Sequence, residues 1–225
     1  GADYDVATHF TPRYNPWDQR LCLVPDADLF AVIKSGKASV VTDTIAHFTR
    51  DGITLQSGAE LPADVVVTAT GLELQLLSDV AFSVDGAPVD LSKTFNYKGM
   101  MFSDVPNMAT SFGYTNASWT LKADLTCAYV CRLLNTMKKR GLRQATPRVG
   151  DAALTPAPFL DFSSGYVTRA MEKFPKQGSK TPWRVHQNYA RDLLALRYGS
   201  VDDGMEFSNP ATPEATRAAR SRITA

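Results

Sequence analysis

Three histidines, three cysteines and one short glycine turn are where this 225-residue chain could do chemistry. His9, His47 and His186 are scattered, and none has a neighbour at metal-ligand or catalytic-triad spacing. Cys22, Cys127 and Cys131 form an odd set without paired zinc spacing, and Cys127 and Cys131, four apart on a predicted helix, are expected to be small buried hydrophobes. No Gly-x-Ser-x-Gly elbow occurs, so an esterase has little support. A pyrophosphate-binding turn needs glycines spaced G-x-G-x-x-G, because backbone amides must approach the phosphate and the following helix must pack closely. No two of the 14 glycines are separated by a single residue. One turn of the right character does exist. Asp64-Val65-Val66-Val67-Thr68-Ala69-Thr70-Gly71-Leu72 is expected as a short strand buried on both faces that ends in a tight turn, where a backbone without bulk can come close to a ligand.

Other elements must position that turn. Residues 1–20 are rich in Pro, Asn and aromatics and are expected as a loop or connector. Asp26 or Asp28 can cap a short helix through Leu29, Val32 and Ile33 that stops at Gly36. The period then changes to two: Ala38–Asp43, Thr44–Thr49 and Ile53–Leu55 alternate around the hairpin signal Asp51-Gly52, so a β-meander leads into the Val65–Thr68 strand. Turn chemistry recurs at Asp85-Gly86 and Lys98-Gly99, and Asn107–Phe112 is expected as another strand broken by Gly113. From Ser118 to Lys139 a long helix carries Leu121, Leu125, Ala128, Val130, Leu133, Leu134 and Met137 as an apolar stripe. Ser118 is its expected N-cap; Lys138, Lys139 and Arg140 favour the helix dipole at its far end. A shorter helix is expected around Tyr189–Tyr198, and an exposed Ala/Thr/Arg-rich tail beyond Asn209-Pro210.

Composition bounds the function. A formal net charge of +1 offers no footprint for nucleic acid, and no apolar run approaches the length of a transmembrane helix, so a cytoplasmic globular protein is expected. The chain opens on Gly1 rather than Met, which fits a piece of a longer protein.

The segments His9–Cys22, Ala69-Thr70-Gly71, Gly113–Leu121, Ser164-Gly165-Tyr166 and Pro175–Arg184 together resemble the C-terminal half of a class B flavin-dependent monooxygenase of the Baeyer–Villiger or flavin-containing type. The likeness covers roughly residues 4 to 208. It implies an α/β fold, the C-terminal part of a two-dinucleotide-binding-domain flavoprotein, with β-meander, buried strand and long core helix. Residues 1–25 would connect from the NADPH-domain side, 26–140 would complete the FAD-binding domain, 141–208 would form an extension and possible lid, and 209–225 a tail. FAD and NADPH would be the cofactors. Thr70, Gly71 and Leu72 would approach the FAD, and Asn116, Ser118, Trp119 and Leu121 would open the long helix towards the isoalloxazine, whose developing negative charge suits a helix N-terminus. The resemblance implies insertion of one oxygen atom from O2 into a ketone or a sulfur or nitrogen heteroatom through a C4a-(hydro)peroxyflavin. Both glycine fingerprints would lie in an N-terminal half, and no catalytic residue is assigned here.

Two rivals stand beside it. A cofactor-free binding module would keep the fold without catalysis. A flavin disulfide reductase would need a reactive dithiol, which Cys127-x-x-x-Cys131 inside a helix does not suit. For Lys176–Arg184 two roles are open: a segment closing over the nicotinamide or substrate, with Trp183 shielding the flavin, or a surface loop anchored by Trp183.

Overall fold

The computed structural model describes residues 3–15, 18–19, 22–115, 117–150, 152–160 and 162–211. Contacts divide the chain into two units, one ending at Leu72 and the other beginning at Glu73.

The first unit opens with helix α1 (Val6–Phe10), capped where Asp5 accepts the Thr8 N–H at 3.0 Å. Helix α2 (Asp28–Lys34) follows, and the chain leaves it through Ser35 and the left-handed Gly36. The expected Asp26 or Asp28 cap is absent: Ala27 is the N-cap residue, in a left-handed conformation, without a side-chain hydrogen bond. The meander is antiparallel, β1 (Ile45–Phe48) against β2 (Gly52–Leu55) against β3 (Glu60–Pro62), with Phe48 opposite Ile53 and Ile53 opposite Leu61. Its first strand starts later than expected. Asp43 accepts the N–H groups of Thr44 at 2.6 Å and Ser57 at 3.2 Å, and a short acidic side chain that binds nearby amides draws its backbone out of a ladder.

The hairpin signal at Asp51-Gly52 holds, with Thr49 donating to the Gly52 carbonyl at 2.9 Å. Gly52 sits at φ +155°, and a Cβ there would lie 2.0 Å from the Leu61 carbonyl oxygen. Gly52→Ala must therefore push β2 off β3, and we expect a loss of about 1–3 kcal/mol, as for other overpacked sites. Faster amide exchange confined to residues 45–62 would register it; unchanged exchange there would show that the strands yield without cost.

The Val65–Thr68 run is a correction. It forms no strand and is not buried: Val65 and Val67 are 78% and 84% exposed. A strand covered on both faces needs hydrogen-bonded neighbours and layers above and below, and β-propensity expresses fit to such a surface rather than a backbone preference. Among the described residues nothing pairs with this run.

The second unit holds most of the buried side chains. Two hairpins open it: β4 (Phe82–Val84) with β5 (Ala87–Val89), and β6 (Asn96–Tyr97) with β7 (Met101–Phe102), turning at the expected Asp85-Gly86 and Lys98-Gly99. The expected Asn107–Phe112 strand is irregular. Asn107 has φ +56°, and its side-chain oxygen accepts the Ala145 N–H at 2.9 Å, so it clamps the chain that follows the long helix instead of extending.

That helix is α3 (Trp119–Arg140), ended by left-handed Gly141, whose N–H returns to the Lys138 carbonyl. Its buried stripe is Lys122, Leu125, Thr126, Tyr129, Leu133 and Met137, whereas Leu121 and Leu134 are 40% and 57% exposed. Hydropathy alone put the stripe off axis, because it cannot foresee that Lys122 and Tyr129 find polar partners inside. The Tyr129 hydroxyl lies 3.0 Å from that of Tyr97, which donates to the Asp203 carbonyl at 2.8 Å. Cys127 and Cys131 lie on the exposed face of α3, against the expectation of burial, since the stripe turned inward by Lys122 and Tyr129 turns them out.

Strand β8 (Gln144–Pro147) pairs antiparallel with β11 (Met205–Ser208), and β9 (Pro156–Ala157) with β10 (Gln177–Gly178). Between them lie α4 (Gly165–Ala170) and α5 (Tyr189–Leu193), the latter running into a π-turn over Leu194–Tyr198, so the expected Tyr189–Tyr198 helix is present with a widened second half. Arg132 of α3 donates to the carbonyls of Arg197 and Gly199 and ties this turn down. One core joins α3, the β6–β7 hairpin, Trp183 and Leu196; a second gathers Phe159, Leu160, Val167, Ala170 and Phe174. The elements are mixed α/β, with small antiparallel sheets and one long helix. No helix among the described residues is long and apolar enough to cross a membrane.

Candidate functional site

The first turn of α3 carries the expected residues Ser118, Trp119 and Leu121, all exposed. Ser118 occupies the N-cap position with extended backbone, yet its side chain caps nothing; its hydroxyl lies 2.7 Å from that of Thr120. This corrects the expected capping role, because the two hydroxyls satisfy one another. Without a side-chain cap, the first amides of a 22-residue helix point outward with the positive end of the helix dipole. Trp119 is 55% exposed, its ring 5.2 Å from that of Phe112, and a Cβ at Gly113 would lie 2.1 Å from its indole, so only glycine leaves room for the ring to fold back. Asn116 lies outside the described residues.

The turn Thr70-Gly71-Leu72 closes the first unit and is exposed, with Leu72 64% accessible. Gly71 takes φ +107°, a conformation that a side chain would strain. The expected contacts thus fall in two groups, one in each unit.

Beneath the first turn of α3 is a polar constellation that hydropathy did not mark. Lys122 donates to Asp192 Oδ2 at 2.8 Å, and the Tyr114 hydroxyl donates to the same oxygen at 2.8 Å. Both charged side chains are almost fully buried. The Lys122 ammonium also stands 5.7 Å from the centre of the Tyr114 ring. Next along the loop, Thr115 donates through its N–H at 2.9 Å and its hydroxyl at 3.1 Å to Gln187 Oε1. Asn188 accepts the Arg191 N–H at 3.1 Å and caps α5, which presents Asp192.

Burial sets the electrostatics. It pulls the Lys122 ammonium below the ordinary lysine range, with the Asp192 charge opposing. The Tyr114 phenol is pushed well above its ordinary range, first by burial and then by its bond to Asp192. Burial also lowers the pKa of His186, against the pull of Asp192. Burial thus works against the charge on Lys122, the neighbouring Asp192 works for it, and the Tyr114 phenol stays neutral. Sequence carried one faint sign of it: a lysine one turn into a helix, at the spacing of a buried stripe.

The sequence is similar along nearly all of its length to FAD-containing monooxygenases. It is 54% identical over 211 residues, 93% of its length, to the FAD-containing monooxygenase EthA of Mycobacterium tuberculosis, and 55% identical over 200 residues to EthA of Mycolicibacterium smegmatis. It is 49% identical over 216 residues, 96% of its length, to the probable FAD-binding monooxygenase AlmA of Acinetobacter baylyi. The chain spans 43%, 41% and 43% of those relatives respectively, so it matches less than half of each. No protein-family model and no solved structure matches it.

Proposed function

We propose that this chain is the C-terminal, flavin-covering portion of an FAD- and NADPH-dependent monooxygenase that inserts one oxygen atom from O2 into a ketone or a sulfur or nitrogen heteroatom. The observation that carries the reading is the 54% identity over 93% of the chain to an FAD-containing monooxygenase. The residues present fit part of an FAD. Gly71 offers a turn without bulk, and the uncapped first turn of α3 offers outward amides beside the exposed faces of Trp119 and Leu121. The pyrophosphate is not provided for, since no glycine pair here has the spacing such a turn needs. Residues N-terminal to this segment in the complete protein would supply both glycine fingerprints.

When bound, FAD supplies the oxygen-activating chemistry. This chain's part is to orient and to exclude water. The α3 N-terminus would donate hydrogen bonds towards the pyrimidine side of the ring and favour negative charge there. Trp119 and Leu121 would cover the ring, and Thr70, Gly71 and Leu72 would lie against the cofactor.

The complete protein, purified, is expected to carry stoichiometric flavin and to consume O2 with NADPH; a colourless protein with no NADPH-dependent O2 uptake would favour the cofactor-free module. In that protein Gly71→Val is expected to lower flavin content, because a branched side chain strains the turn and projects towards the ligand. Normal flavin content in this variant would remove the turn from the site. The 225-residue chain by itself is expected to show no tight binding in fluorescence titration with FAD, and stoichiometric binding would mean that the affinity resides in this half.

A further inference from the structure

Tyr114 and Thr115, on the stretch before α3, are each tied to the 187–192 segment. Tyr114 donates to Asp192, which is held in turn by Lys122, and Thr115 donates twice to Gln187. These bonds bracket a turn whose other side chains, Ser118 and Trp119, are exposed and contribute no cap to the helix. Within the turn Ser118 meets Thr120 and the Trp119 ring meets Phe112, and Tyr114, Thr115 and Lys122 add ties to a segment distant in sequence. Asp192 and Gln187 lie more than 70 positions away in sequence, on a loop and helix secured separately by the Asn188 cap and by Arg132 on the π-turn.

A buried ion pair is seldom the cheapest way to stabilise a core, since apolar residues of similar volume often do as well or better. What it adds is a fixed geometry: Asp192 Oδ2 receives two donors at 2.8 Å, one from the helix and one from the loop before it, so the two cannot slide past each other without leaving a buried charge unpaired or a buried hydroxyl unbonded. Gln187 fixes the next residue in the same way.

We propose that Asp192 and Gln187 are positioning residues that set the placement of the Gly113–Leu121 turn, and with it the direction of the first amides of α3. Where those amides face the flavin, as in the function proposed above, the two residues tune the cofactor's environment without touching it.

Three variants separate positioning from packing. Tyr114→Phe removes one hydroxyl, Gln187→Leu removes the acceptor for Thr115, and Gln187→Glu keeps an acceptor there. Hydrogen exchange by mass spectrometry on the 225-residue chain reads the turn directly. In Tyr114→Phe and Gln187→Leu, amides of residues 113–124 are expected to exchange roughly ten- to hundredfold faster, the range for a lost hydrogen bond to a charged or buried acceptor, while those of Tyr129–Met137 keep their rates. Gln187→Glu is expected to restore wild-type exchange. Uniform acceleration along α3, or none within 113–124, would overturn the proposal and leave the network as core packing.

The same variants in the complete flavin-loaded protein give the second readout, the visible circular dichroism of bound FAD. A changed band that Gln187→Glu returns to wild type supports both readings. Loosened exchange at 113–124 with an unaltered flavin spectrum would keep the positioning role and sink the placement of α3 against the flavin.

Discussion

Lys122→Met is expected to destabilise this chain by about 3–5 kcal/mol, the cost of leaving a carboxylate buried without its counter-charge. The side chains of Lys122 and Asp192 are 4% and 6% exposed, so solvent screening offers Asp192 little relief. The Tyr114 hydroxyl would remain as its donor but carries no charge. Replacing both partners, Lys122→Met with Asp192→Leu, should recover much of the loss, because the desolvation of two charges disappears with them. Urea unfolding of the wild type, the two single variants and the double variant measures this. A double variant no better than the singles would show that the network is worth more than an apolar filling.

The pH dependence carries a definite sign. Burial lowers the Lys122 pKa in the folded chain, so between that value and the ordinary 10.5 the unfolded state binds more protons and stability rises with pH. Below the folded value both states are protonated and the burial penalty is present in full. Lys122→Met should remove this rise, seen as a flatter urea midpoint as the pH approaches 10.5 from below. Above that range Tyr97 and Tyr114, whose phenols burial holds protonated, pull stability down with rising pH, and the variant keeps that fall.

Trp183→Ala is expected to cost about 3–5 kcal/mol by opening a cavity in the larger core. Trp183 is 4% exposed, with its ring edge-on to Tyr97 at 5.4 Å and to Phe95 at 6.4 Å. Its carbonyl accepts the Gly178 N–H at 3.0 Å, and a Cβ on Gly178 would stand 2.7 Å from the Trp183 Cβ and 2.6 Å from Leu154 Cδ1. Of the two roles open for Lys176–Arg184, these contacts favour anchorage. The segment is pinned by β10 against β9, by Lys98 donating to the Pro182 carbonyl at 2.8 Å, and by Gln177 accepting the Val185 N–H at 3.0 Å. In a flavin-loaded complete protein, Trp183→Ala should lower thermal stability while the ratio of hydrogen peroxide to product stays as in wild type. Increased peroxide release with unchanged stability would restore the shielding role.

Local chemistry was legible where a residue's own backbone or its near neighbours decide the outcome. The turns at Asp51-Gly52, Asp85-Gly86 and Lys98-Gly99 stand where glycine and acidic or basic residues put them, because each needs only a few dihedral angles. The meander and the end of α3 at its basic cluster follow for the same reason, and so does the resemblance to flavin monooxygenases, which rests on short stretches that identity over 211 residues bears out. The absence of a glycine-spaced phosphate turn is likewise a property of sequence alone.

Burial was decided only by the tertiary structure, since it depends on what stands opposite. Val65, Val66 and Val67 have the propensity of a buried strand and lie exposed, because no described strand pairs with them. Lys122 and Tyr129 read as polar and lie in the core, because Asp192 and Tyr97 meet them from 70 and 32 residues away. That rotation of α3 turns Cys127, Cys131 and Leu134 outward and leaves Trp119 beside Phe112 at the open start of the helix. The pairing that holds the candidate site, Tyr114 and Lys122 on one oxygen of Asp192, has no local signature, because a buried charge becomes tolerable only once the fold has brought its partner within hydrogen-bonding distance.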